Sequence, residues 1–313
     1  MPSRSTCFTA ATIVIVAAMV PALAGCSGKT PTPTPSAPSM TVTAYEQFLT
    51  RINKGLGSDF QQLSSARTSS AVSAAAAVVE GDVAQDLALF QKAVPPTRFK
   101  AGNAAMISAL TGFDTAMSSA ESAAGTGQVC AGTSAVALIS RSSATARLRS
   151  AEGVLSAVDP AHLSDLRSFL PPVTADTNRR LANGTLIKRI SSSGLGEMTV
   201  DNSGESADAV VSLVPGNNVT AVAVYVHAES SYTVHGIRDG KYQIYVTTGS
   251  DWETSENLFA RNCDFEKFDR AADFTTTTSG NTTSYTHYEI ALSPSVGGNA
   301  IERKVPREQF PNP

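Results

Sequence analysis

The chain has 313 residues, with 24 basic and 27 acidic side chains and a formal charge of −3. That length is enough for two ordinary domains. Residues 196–313 carry a net charge of −8, which repels phosphate backbones and argues against nucleic acid as a partner.

At the N-terminus, Arg4 precedes a mostly apolar run from Phe8 to Val20, too short for the roughly 20 residues of a transmembrane helix. No later apolar stretch reaches 18 residues, so no second span is expected. Pro21 ends the run, and Leu23-Ala24-Gly25-Cys26 follows. These four residues resemble the lipobox of bacterial lipoproteins. The resemblance implies cleavage after residue 25, a diacylglyceryl thioether on Cys26, and residence on the outer face of the cytoplasmic membrane. Two or more acyl chains anchor stably, at about 0.8 kcal/mol per buried CH₂. The alternative is a secreted protein with an incidental cysteine. Residues 27–40, SGKTPTPTPSAPSM, continue from Cys26 as a tether. Alternating Thr-Pro favours polyproline II, so the tether reaches on the order of 40 Å at about 3.1 Å per residue. An alanine-rich body on a Thr/Pro tether resembles actinobacterial lipoproteins, whose tether threonines can be glycosylated.

Residues 41–170 read as helices. Thr43-x-x-Glu46 has capping-box spacing, and Tyr45, Phe48, Leu49 and Ile52 form one apolar stripe, which Gly55 and Gly57 are expected to end. An alanine-rich helix over about 58–94 follows, with a break expected near Gly81-Asp82, and Pro95-Pro96 stops it. Phe99, Met106, Ile107, Leu110, Phe113 and Met117 mark the next helix. Cys130 lies in a loop from Gly125 to Gly132. A helix over 134–158 comes next, and a short one opens at Asp159-Pro160. The expectation is an antiparallel bundle of four or five helices. With His162 as its only histidine and no Glu-x-x-His pair, this region cannot supply a ferritin-like metal centre.

Residues 171–195 read as a linker whose basic cluster, Arg179, Arg180, Lys188 and Arg189, is expected to be solvated. After residue 195 branched and polar residues alternate. Strands are expected at 209–214, 220–228, 231–237, 242–247 and 284–292. Asp239-Gly240 suits a type I′ hairpin turn. Residues 196–310 are read as an antiparallel β-sandwich. The stretch Tyr232 to Val246 resembles the repeat of transthyretin-like, carboxypeptidase-regulatory-type modules, which are mostly structural or binding appendages. The acidic segment after Gly249 departs from that pattern. The blocks Asp239–Tyr242, Gly249–Trp252 and Gly297–Ala300 also resemble a bacterial β-domain, a likeness that implies no activity.

The candidate sites are few. Cys130 and Cys263 would lie in an oxidising compartment and could form a disulfide tying the halves together; two separately buried thiols are the alternative. A three-residue turn at 229–231 would set His227 diagonal to His235, where they could share a zinc or copper ion with a carboxylate; two solvent-facing histidines are the plainer reading. Trp252, beside Asp251, could stack on a sugar ring, or else cover one end of the sandwich. The acidic residues of 251–273 lack a calcium-loop spacing and are interleaved with Arg261, Lys267 and Arg270. No Gly-x-Ser-x-Gly elbow is present. The sequence thus points to an α+β two-domain, lipid-anchored envelope protein acting as a non-catalytic binding or scaffolding module without a cofactor. The membrane is its first partner, and a wall polymer or envelope protein its second. A metal-dependent or hydrolytic extracytoplasmic enzyme using the β-domain histidines is the alternative.

Overall fold

The computed structural model describes residues 38–313 except 164–165, 167–168, 174 and 294–301. Residues 38–313 form one compact unit. The leader, Cys26, nearly all of the tether and the Gly297–Ala300 block lie outside the described residues.

Helices occupy 42–163: α1 Val42–Ser64, α2 Ser69–Lys92, α3 Lys100–Thr111, α4 Asp114–Gly125, α5 Gly132–Ser140, α6 Ser143–Val158 and α7 Pro160–Leu163. Several expected boundaries shift. The cap of α1 is Thr41, whose hydroxyl accepts from Ala44 N at 3.2 Å, while Glu46 pairs with Arg98. Gly55, Gly57 and Gly81 all lie inside helices. Each glycine costs about 1 kcal/mol, but Leu56, Phe60 and Leu63 prolong the buried stripe of α1, and Val79, Val83 and Phe90 that of α2. Burying one such side chain contributes roughly 1.5–3 kcal/mol, so tertiary packing wins. The helix expected over 97–117 is instead a 3-10 turn, Thr97–Phe99, followed by α3 and α4, which are separated at Gly112-Phe113. The helix expected over 134–158 breaks at Arg141-Ser142, where Ser142 Oγ accepts from Thr145 N and caps α6. One apolar cluster joins the stripes of α1 to α7.

An antiparallel-rich sheet region follows. Its strands are β1 Leu186–Arg189, β2 Gly196–Asp201, β3 Asp208–Pro215, β4 Val222–Val226, β5 Ser231–Ile237, β6 Gly240–Glu253, β7 Leu258–Phe268, β8 Ala272–Phe274, β9 Thr276–Ser279, β10 Thr282–Tyr285, β11 His287–Ala291 and β12 Glu302–Lys304. The largest sheet runs β1-β4-β3-β6-β7-β12, with β8 also pairing β6. A second sheet runs β11-β2-β5, its β11–β2 pair parallel, and β9 and β10 form a separate hairpin. Met198 and Val200 of β2, Val234 of β5 and Ile290 of β11 share one cluster with Val211 of β3, Val224 of β4 and Val246 of β6.

The turn at Asp239-Gly240 is not a hairpin, because β5 and β6 belong to different sheets. Gly240 has φ +146°, and the Asp239 carboxylate accepts from Thr276 N and Oγ1, so the dipeptide carries the chain between sheets. The acidic stretch after Gly249 is the end of β6 and the paired β7. The expected linker holds β1 and is fastened down. Arg179 Nε donates to Asp251 Oδ1 at 2.7 Å, and Arg180 Nε to Asp208 Oδ2 at 2.6 Å. Two of the four cations expected to be solvated, Arg179 and Arg180, thus bond buried carboxylates while their own side chains stay 43% and 39% exposed.

Residues 127–131 lie along β7. Cys130 N donates to Ala260 O at 3.0 Å, Cys263 N to Gly127 O at 3.0 Å, and Ser134 Oγ to Ala260 O at 2.7 Å. A disulfide joins Cys130 to Cys263, with Cα atoms 6.3 Å apart. Helices and sheets are thus stitched by backbone, side-chain and covalent links at one seam.

Candidate functional site

Trp252 is only 1% exposed, packed edge-on against Tyr225 and Phe259. It therefore offers no ring face to a sugar. Asp251 is buried beside it and accepts from Thr177 Oγ1, Arg179 N and the Arg179 guanidinium. Burial pushes the Asp251 carboxyl up, and these hydrogen bonds more than offset it, holding the pKa below the usual carboxylate range. Asp208 repeats the arrangement with Arg180, Tyr225 Oη at 2.5 Å and Ala228 N at 2.8 Å. Its pKa is likewise lowered against the pull of burial. Trp252 and Asp251, the two residues expected to meet a ligand, are thus both buried with their contacts inside the fold.

The expected His227–His235 pair does not form. His227 lies just past β4, and its Nε2 bonds Leu181 O at 2.6 Å. His235 lies on β5 in the other sheet. There its Nδ1 meets Glu197 Oε1 at 2.8 Å, while His287 Nδ1 meets Glu197 Oε2 at 3.2 Å. The diagonal placement required β4 and β5 to pair, and they do not.

Glu197 is not among the residues that the sequence singles out, because 196–201 is not one of the expected strands. The signal was present: Gly-Glu-Met-Thr-Val-Asp alternates polar and apolar, and its burial alternates in the same way. Register explains the cluster. Glu197 is the parallel partner of His287. On its other side β2 and β5 slip between Gly196 and Met198, so one residue of β2 faces both His235 and Gly236. Gly236 has φ +74°, a left-handed conformation that glycine adopts at such a bulge. Thr199 Oγ1 lies 3.2 Å from His287 Nε2 and 2.8 Å from Thr233 Oγ1.

Other polar clusters lie on the helices. Glu46, Asp159 and His162 offer ligand atoms within 4.8 Å of one another, but Arg98 NH2 sits 3.3 Å from Glu46 and 2.9 Å from Asp159. A cation of the protein's own already holds that position. Asp59, Asp82 and Asp86 line a cavity of about 210 Å³ between α1 and α2, with Arg51 at its border. Burial, and then the neighbouring carboxylates, raise Asp59 and Asp86 to about 6. A cavity of about 410 Å³ beside the start of α6 is lined by Arg141, Arg147, Thr115 and Ser119.

No protein-family model, curated protein or solved structure matches the chain.

Proposed function

We propose that the chain is a lipid-anchored cell-envelope protein whose body is a non-catalytic binding or scaffolding module. The observation that carries this reading is the lipobox-like Leu23-Ala24-Gly25-Cys26 followed by a Thr/Pro-rich tether. In the same reading the helices are an antiparallel bundle and the two larger sheets a β-sandwich; the apolar cluster shared by those sheets supports the latter. Envelope residence fits a disulfide, since such bonds persist in oxidising compartments. The partner is a wall polymer or another envelope protein. The test is palmitate labelling with membrane fractionation. Wild type is expected in the membrane with label on Cys26, and Cys26→Ala in the medium without it. Unchanged retention of the variant, with no label on wild type, would overturn the anchor.

A second reading, an extracytoplasmic hydrolase, draws on one observation. Thr199 Oγ1, His287 and Glu197 stand in the order hydroxyl–imidazole–carboxylate. Against it, β2 is the central strand of its sheet, so its backbone N–H groups serve ladders on both sides rather than an oxyanion. Hydrolysis of an activated ester by wild type that His287→Ala abolishes would favour the second reading; equal rates would remove it.

A further inference from the structure

We propose that Glu197, His235 and His287 form a surface site for one divalent transition-metal ion of the zinc–copper class, clasping the three strands β11, β2 and β5. This proposal rests on neither functional reading above.

The chain has only 4 histidines, and two of them, from different strands, converge on one carboxylate. Two imidazoles and a carboxylate form a donor set suited to zinc or copper rather than to calcium or magnesium, which take oxygen. Each imidazole already stands within metal-ligand spacing of Glu197, but the three residues do not offer donor atoms all within 4.8 Å of one another until the rings turn, as Glu46, Asp159 and His162 do without turning. With ligand bonds near 2.0–2.1 Å, neighbouring donor atoms in a tetrahedral shell lie about 3.3 Å apart. The Nδ1 to oxygen distances here are 2.8 and 3.2 Å. The two rings now bond different oxygens of Glu197, so a single ion draws the His235 ring and the Glu197 carboxylate toward His287 by side-chain rotation. His235 supplies that movement, its side chain being 68% exposed and its ring held by Glu197, while His287 stays against Thr199.

Charge separates this cluster from the one on the helices. The Glu46–Asp159 pair holds Arg98, whereas the ion-pair partners of Glu197 among the described residues are the two histidines alone. A bound cation therefore displaces no guanidinium here. The surroundings also supply an orienting contact. A histidine that ligates through one ring nitrogen usually donates its other N–H to a fixed acceptor. Thr199 Oγ1 stands 3.2 Å from His287 Nε2 and is itself tied to Thr233. With the metal on Nδ1, that contact fixes the tautomer and the ring plane.

The experiment is calorimetric titration of Zn²⁺ into the full chain, purified in detergent without chelators, above the ordinary histidine pKa of about 6.5. One ion per chain is expected, with a raised melting temperature. His235→Ala, His287→Ala and Glu197→Gln should each weaken binding by at least about tenfold, and Thr199→Val by less. His227→Ala and His162→Ala should bind as wild type does. Melting curves of the metal-free variants check that each is folded, which the exposure of both rings favours. The proposal falls if Zn²⁺ does not bind, if binding survives loss of both His235 and His287, or if His162→Ala alone removes it.

Discussion

In the sheet region the buried carboxylates Asp208 and Asp251 each meet an arginine carried on residues 179–180, together with hydroxyl and backbone donors. In the helices Asp59, Asp82 and Asp86 crowd one another across α1 and α2, with no such fork closing on Asp59. The two arrangements respond to pH in opposite directions. Asp208 and Asp251 titrate below the usual range, so they contribute stability that is full above the unfolded carboxylate pKa of about 3.9 and is lost as pH falls through their lower folded values. Asp59 and Asp86 are raised to about 6, so the folded chain holds protons that the unfolded chain releases. Their penalty is full above about pH 6, shrinks on acidification and is gone below about pH 4. Asp208 and Asp251 are thus latches and Asp59 and Asp86 liabilities, the difference being a guanidinium hydrogen-bonded to each of the first two.

The strongest way to break this contrast is Arg180→Ala. It leaves Asp208 buried with only Tyr225 and Ala228 as donors. A loss of about 3 kcal/mol at neutral pH is expected in urea unfolding, shrinking as the medium is acidified below about pH 4. An unchanged midpoint would mean that the pair adds nothing to the fold. The opposite sign is expected for Asp59→Asn, which removes one of three crowded charges. It should stabilise the chain by about 1–2 kcal/mol at pH 7 and flatten the slope of stability between about pH 4 and 6. Destabilisation at pH 7 would show that the aspartate cluster is not repulsive. The smallest effect belongs to a neutral contact. Thr41→Ala removes the hydroxyl that caps α1 and should cost about 1 kcal/mol at any pH, whereas Thr43→Ala should cost little. A larger loss at Thr43 would restore the capping box read from sequence.

The boundaries that sequence exposed best were those set by local patterns. The stripe Tyr45-Phe48-Leu49-Ile52 is buried on α1, and Ser231–Ile237 is a strand at the expected limits. Glycines misled the reading in the helices because their cost is local and the opposing burial is tertiary. In the sheets the failure was one of pairing. Neither the Asp239-Gly240 dipeptide nor residues 229–231 reveals that the chain crosses from one sheet to the other at those points, and the supposed His227–His235 pair depended on that. The roles of Arg179 and Arg180 were hidden for the same reason. Their acceptors lie tens of residues away, on strands whose neighbours only the folded sheet defines.

The bond between Cys130 and Cys263 spans 133 positions of chain and closes them into a covalent ring. A protease that cuts once anywhere within that ring separates nothing: the nicked chain still migrates as a single species on a non-reducing gel, and only a thiol releases the two fragments. Cleavage at the exposed residues 175–180 is therefore tolerable in an oxidising compartment and becomes a point of failure once the sulfurs are reduced.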